Sequence, residues 1–254
     1  MTRFLASIAG LDELAPALAG GADLIDVKDP ATGALGAVDP EITRAIVATV
    51  AGRRRVSATL GDLPMAPATL AEAARRTAAT GVNFVKIGVF PGSDPGPCIA
   101  ALGAVAAEGA RLVAVMFADR EPEFGLLDLF AEAGFAGAML DTAGKADGAL
   151  PDRLPAMRLR QFVERARKLG LMTGLAGSLR LEHIAPLVAL GPDYLGFRGA
   201  LCAGGRTDRI DPARVRAVRQ ALDRASSATA AAGAAIAAAS RASAEPSTIS
   251  AKSR

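Results

Sequence analysis

The sequence predicts a (β/α)₈ TIM barrel followed by a disordered Ala/Ser-rich C-terminal tail. Three observations carry this reading. Between residues 3 and 225, short β-like runs alternate with helical segments at a spacing of roughly 25 to 30 residues, the rhythm of βα units in a parallel sheet. Several helical segments carry apolar residues at helical spacing and finish in glycine, which readily takes the left-handed turn that stops a helix. The first turn, Ile8-Ala9-Gly10-Leu11, is not the glycine-rich nucleotide turn of an open doubly wound sheet, so that fold ranks second. With 254 residues, 51% of them apolar, the chain can bury one large core.

The units follow in order. RFLASIA (3–9) is the first strand and DLIDVK (23–28) the second. Alternate residues of a strand face opposite sides, so Ile25 and Val27 turn toward the helices while Asp26 and Lys28 turn toward the barrel axis. PEITRAIVATVAG (40–52) reads as a helix before RVSATLG (55–61), where Val56, Ala58 and Leu60 face outward and Ser57 and Thr59 face in. TLAEAARRTAATG (69–81) leads to NFVKIGV (83–89), with Val85 and Ile87 outside and Phe84 and Lys86 inside. RLVAVMFA (111–118) and GAMLD (137–141) are next, the latter with Leu140 outward and Asp141 inward. The helix MRLRQFVERARKLG precedes MTGLAGS (172–178). DYLGFR (193–198) points Leu195 and Phe197 outward and Arg198 inward, and PARVRAVRQALDRA closes the barrel. From Ser226 onward the chain is alanine, serine and threonine with almost no large apolar side chain. Such a stretch cannot offset its own ordering entropy, so 226–254 is expected to be a disordered tail beside a 1–225 barrel.

A barrel interior is normally filled with branched apolar side chains. The inward polar set therefore reads as a site at the C-terminal strand ends. Lysine is rare here, five residues against twenty-four arginines, yet Lys28, Lys86 and Lys145 all fall at or just past strand ends. Arginine stays protonated at working pH, whereas lysine can become the neutral amine that attacks a carbonyl. Three converging amines disfavour one another's charge, and Asp26 and Asp141 would hold the remaining ammonium groups and relay protons. This set suits imine formation, proton abstraction beside the imine carbon, and elimination. Gly174-Leu-Ala-Gly177-Ser178 and Arg198-Gly199-Ala200 follow the last two strands, where barrels often bind phosphate through backbone N–H groups. Arg198 could add a bidentate contact, and Ser57 and Thr59 could assist in binding.

Other features bound the function. The net charge of +3 requires no polyanionic partner, and Arg53-Arg54-Arg55 has no interleaved aromatics, so it reads as a cap on the bottom of the sheet rather than a nucleic-acid site. Cys98 and Cys202 lie far apart without metal-ligand neighbours, which suits a reducing cytoplasm, and Cys202 reads as a small structural residue. Acidic residues come too early at the N-terminus for a signal peptide, and no apolar run is long enough to span a membrane. No His/Cys/carboxylate cluster has metal spacing, so no metal and no cofactor are expected. His183 reads as a solvated or capping residue. The glycine-rich stretch 29–40 is either a lid or an ordered surface loop.

The segments GGADLIDVKDPATGALGA, VSATLGDLP, FVKIG, AMLDTAGK, GLAGSL with EHI, and FRGALCAGGRTDRID together resemble the (5-formylfuran-3-yl)methyl phosphate synthase family of methanofuran biosynthesis. The resemblance spans nearly all of residues 1–225. It implies a TIM-like barrel that joins two molecules of glyceraldehyde 3-phosphate, with loss of phosphate and water, into a phosphorylated furan aldehyde. It further implies Lys28 as the Schiff-base lysine, Lys86 as general acid/base, supporting roles for Asp26, Asp141 and Lys145, and a homo-oligomer. Under this reading an enamine from the first triose phosphate adds to the aldehyde of the second. The rivals are a class I aldolase on another sugar phosphate and a non-catalytic barrel that binds phosphate esters.

Overall fold

The computed structural model describes residues 1–91, 94–144 and 148–242, with side chains to residue 235. Eight parallel strands close into a barrel in sequence order: β1 (Arg3–Ile8), β2 (Leu24–Val27), β3 (Arg55–Thr59), β4 (Phe84–Val89), β5 (Leu112–Phe117), β6 (Gly137–Asp141), β7 (Met172–Leu175) and β8 (Tyr194–Phe197). The helices are α1 (Leu14–Ala19), α2 (Pro40–Val50), α3 (Pro67–Ala78), α4 (Gly96–Ala107) and α5 (Leu126–Glu132). They continue with α6 (Leu150–Arg153), α7 (Ala156–Lys168), α8 (Ile184–Val188) and α9 (Pro212–Ala242). Local chemistry fixes their ends. At the start of α2, the Asp39 carboxylate accepts the Glu41 N–H at 2.7 Å, with Pro40 preset in the first turn.

Two apolar layers divide the core by strand parity. Outward residues such as Ile25, Val27, Val56, Val85, Ile87, Leu140, Leu195 and Phe197 pack under the helices. A second cluster, including Leu5, Leu24, Phe84, Val113, Val115, Met139 and Tyr194, fills the barrel interior. At its lower end the Arg111 and Arg55 guanidinium groups lie 4.5 and 5.7 Å from the centroid of the Phe84 ring. Arg54 donates to the Ala22 carbonyl at 2.8 Å, so this basic run does cap the bottom of the sheet.

Two loops shape the upper end. In the loop after β2, the Asp62 carboxylate accepts the N–H groups of Ala34 and Leu35 at 2.8 and 2.9 Å. Thr59 Oγ1 donates to the Gly36 carbonyl at 2.9 Å. Leu35 is thereby buried on the interior cluster, and the loop lies ordered over one side of the mouth. The loop after β8 is held by Arg198, described below.

The described part of the segment from Ser226 continues the last helix. Helix α9 buries Val215, Val218, Leu222 and Ala225 against the barrel and then continues to Ala242. Alanine has the highest helix propensity, and extending an existing helix adds a hydrogen bond per residue without a new nucleus. Residues 227–235 are exposed, so this extension stands off the core. Residues 243–254 lie outside the described ones. Among the described residues no helix is long and apolar enough to cross a membrane.

Candidate active site

Register places the central carboxylate. Ser7 pairs with Asp26 across β1 and β2, and Asp26 pairs with Ser57 across β2 and β3, so all three side chains enter the barrel in one row. Asp26 is fully buried. Ser57 Oγ donates to its Oδ1 at 2.6 Å and Ser7 Oγ to its Oδ2 at 2.8 Å. Lys86, one inward step higher on β4 opposite Thr59, reaches back and donates to both oxygens at 3.0 Å. Every polar atom of this buried group is therefore satisfied, as a low-dielectric site demands.

The electrostatics follow from that packing. Burial, the largest influence on Asp26, would raise its pKa. The charges of Lys86 and Lys28, with the Ser57 and Lys86 hydrogen bonds, outweigh it and hold the carboxyl below its ordinary value. Burial pushes the Lys86 amine below the ordinary lysine value; Asp26 opposes this and the Lys28 charge adds to it. Lys28, at the end of β2, forms a looser pair with Asp141 Oδ2 at 3.6 Å. Asp141 also accepts the Thr142 N–H at 2.7 Å.

These groups floor a cavity of about 550 Å³, a volume ordinary for a small-molecule site. Ser7, Asp26, Lys28, Lys86 and Asp141 line its base. Gly177, Ser178, Gly199 and Ala200 from the loops after β7 and β8 line its wall, as a phosphate cradle would require. Gly177 has φ 109°, and a Cβ there would lie 2.9 Å from the Thr142 side chain, so the strand-to-loop turn needs glycine. His183 caps its own turn, Nδ1 accepting the Arg180 N–H at 3.1 Å. Cys202 is buried, its thiol pushed up chiefly by burial, which suits a structural residue.

Three expected binding residues are placed otherwise. Ser57 and Thr59 do face inward, but their hydroxyls are committed to Asp26 and to the Gly36 carbonyl of the loop after β2, and neither lines the cavity. Arg198 does not present a free fork to a phosphate. Its Nε donates to Arg206 O at 2.7 Å, its Nη2 to Asp208 O at 2.7 Å, and its Nη1 to Ser7 O at 3.3 Å and to buried Glu13. The arginine organises the loop after β8 instead. Lys145 lies outside the described residues. Ser7 and Arg206 are among the cavity residues that the sequence reading does not single out: strand parity could find the first, and the loop position of the second carries no periodic signal.

Comparison with known sequences decides the family. The sequence profile of the 4-HFC-P synthase family matches residues 4–219. The chain belongs to this family. It is 46% identical over 231 residues to a Methylorubrum extorquens protein provisionally named (5-formylfuran-3-yl)methyl phosphate synthase, covering 90% of this chain and 95% of that one. A (5-formylfuran-3-yl)methyl phosphate synthase of Methanothermobacter thermautotrophicus is 36% identical over 232 residues, covering 86% of this chain and 98% of its own length. The fold is shared more widely than the 4-HFC-P synthase sequence. Thermus thermophilus phosphoribosyl anthranilate isomerase superposes with a TM-score of 0.63 at 17% identity, over 88% of this chain and 99% of that one.

Proposed function

We propose that this member of the synthase family joins two triose phosphates into (5-formylfuran-3-yl)methyl phosphate, with Lys28 as the Schiff-base amine, as a step toward methanofuran. The observation that carries the proposal is the inequality of the two buried amines. Lys86 is locked on Asp26 by two hydrogen bonds of 3.0 Å, while Lys28 faces the cavity with a partner at 3.6 Å. One amine is held for proton transfer and the other is free to attack.

The chemistry then runs as follows. Lys28 condenses with the aldehyde of glyceraldehyde 3-phosphate, releasing water. Lys86, or Asp26 through it, removes the proton from C2. The C3–O bond breaks, phosphate leaves with the electron pair, and a C2=C3 enol conjugated to the imine remains. Its nucleophilic carbon is C3. Addition of C3 to an aldehyde would give an unbranched chain and a 2,5-disubstituted furan. The 3,5 pattern of the named product instead demands attack on a carbonyl at the middle carbon of the second triose. That partner therefore reacts as the ketone isomer, dihydroxyacetone phosphate, which the same base can form from the aldehyde by moving a proton between C2 and C1. Ring closure with loss of two waters, then imine hydrolysis, balances the equation.

Incubation with glyceraldehyde 3-phosphate, borohydride trapping and peptide mass spectrometry test the reading, with ultraviolet absorbance followed in parallel. An adduct on Lys28 together with a furan aldehyde band is expected. An adduct without the band would favour a class I aldolase, and neither signal would return the protein to binding alone.

A further inference from the structure

Two triose phosphates bring two phosphate groups, whereas the glycine-lined loops after β7 and β8 form one cradle. Arg198 is spoken for by four acceptors. Of the three other arginines that line the cavity, Arg180 and Arg214 are exposed, and Arg206 is half-buried on the loop after β8. Its Nη2 donates to the Gly33 carbonyl at 3.0 Å, bridging to the loop after β2. Nε and Nη1 have no acceptor among the described residues. The electrostatic neighbours of its guanidinium include Asp141, the partner of Lys28, and Asp29 and Asp62 of the loop region after β2 and β3. The group thus ties the loop after β8 to the loop after β2 on the wall of the cavity whose base holds Lys28.

We infer that Arg206 binds the phosphate of the triose held on Lys28 and stabilises it as it leaves. The inference rests on the synthase reading above. When the C3–O bond breaks the phosphate takes the electron pair and gains negative charge until the proton removed from C2 is passed to it, giving the free hydrogen phosphate dianion, and a guanidinium with two unused donors matches that growing charge. The departing anion must also reach water. A half-buried cation at the rim gives it a way out, whereas the retained phosphate is better served by the fixed backbone cradle. Arg206 touches substrate in this scheme and so acts in catalysis rather than as a latch.

The test uses the full chain and the variants Arg206→Gln and Arg206→Lys with glyceraldehyde 3-phosphate. Borohydride trapping distinguishes by mass a Lys28 adduct that keeps its phosphate from one that has lost it, and released inorganic phosphate is measured beside it. R206Q is expected to accumulate the phosphate-bearing adduct and to release phosphate at least about tenfold more slowly, the effect of losing one charge-assisted contact. R206K, which retains the charge without the fork, is expected between R206Q and the parent. If R206Q slows formation of both adducts equally, the residue is a latch for the loops and the inference fails. Phosphate release within twofold of the parent in both variants also overturns it. Absence of any Lys28 adduct in the parent protein would sink the synthase reading itself, and the inference with it.

Discussion

The two buried lysine–aspartate pairs of the mouth differ in how tightly they are held. Lys86 and Asp26 are both at most 2% exposed, with Ser7 and Ser57 completing the carboxylate's shell. Lys28 and Asp141, also buried, meet only at 3.6 Å at the base of the same cavity. A buried pair with every lone pair engaged is rigid, and removing one member strands an uncompensated charge. A long pair at a cavity costs less to break, which is what covalent chemistry at one partner requires. The same two residue types are thus separated into a holder and a reactant by register and contact distance.

Removing the reactant gives the largest expected effect. Lys28→Ala should abolish the trapped adduct and lower furan formation by at least about 1,000-fold, since the covalent route is lost. Persistence of product in that variant would end the assignment. Breaking the holder should instead strike stability. Asp26→Ala leaves the Lys86 amine buried and unpaired, a loss of about 3–5 kcal/mol readable in urea or thermal unfolding. Asp141→Asn, which still accepts the Thr142 N–H, should cost no more than about 2 kcal/mol while impairing turnover. Equal destabilisation by the two would erase the distinction.

A pH profile sharpens the same contrast. Lys86 must be neutral to take a proton, and its pKa lies below the ordinary 10.5, so kcat/KM should rise with pH through a limb below that value. Asp26 and Asp141 both favour the charged amine. Asp26→Asn should therefore move the limb to lower pH, and Asp141→Asn should move it the same way by less. For stability the sign is set by Asp26. Its folded pKa lies below 3.8, so its contribution is present above the unfolded value and lost as pH falls through the folded one. The smallest effect concerns the loop after β2. Asp62→Ala frees the Ala34 and Leu35 N–H groups, costing about 1 kcal/mol, and should raise KM with little change in kcat.

Strand parity made most of this legible in the sequence. Every inward and outward assignment in DLIDVK, RVSATLG and NFVKIG is met, because the pleat leaves a strand residue two choices and apolar neighbours take one of them. Parity says which way a side chain points and nothing of what it meets. Ser57 and Thr59 face inward as read, yet their partners come from β2 and from a loop that no periodicity describes. Arg198 is inward too, and its acceptors are carbonyls of residues 206 and 208 together with Glu13, distant in sequence or irregular in structure. The helical run beyond Ser226 is not described by composition alone. Composition reports what a segment can bury, while helix continuation depends on the turn already formed by Pro212–Ala225.

The hydrogen bond from Arg206 to Gly33 joins residues 173 positions apart, and that from Arg198 to Glu13 joins residues 185 apart. Neither can form until the last strand has docked against the first. Because the loop-closure entropy of nearly the whole chain precedes them, the ties across the mouth are among the final contacts made as the chain folds. They also hold segments at the rim rather than in the core, where local opening is easiest. Heating should accordingly silence the enzyme while its circular dichroism is still that of an intact barrel, so that inactivation and unfolding are separate events on one temperature scale.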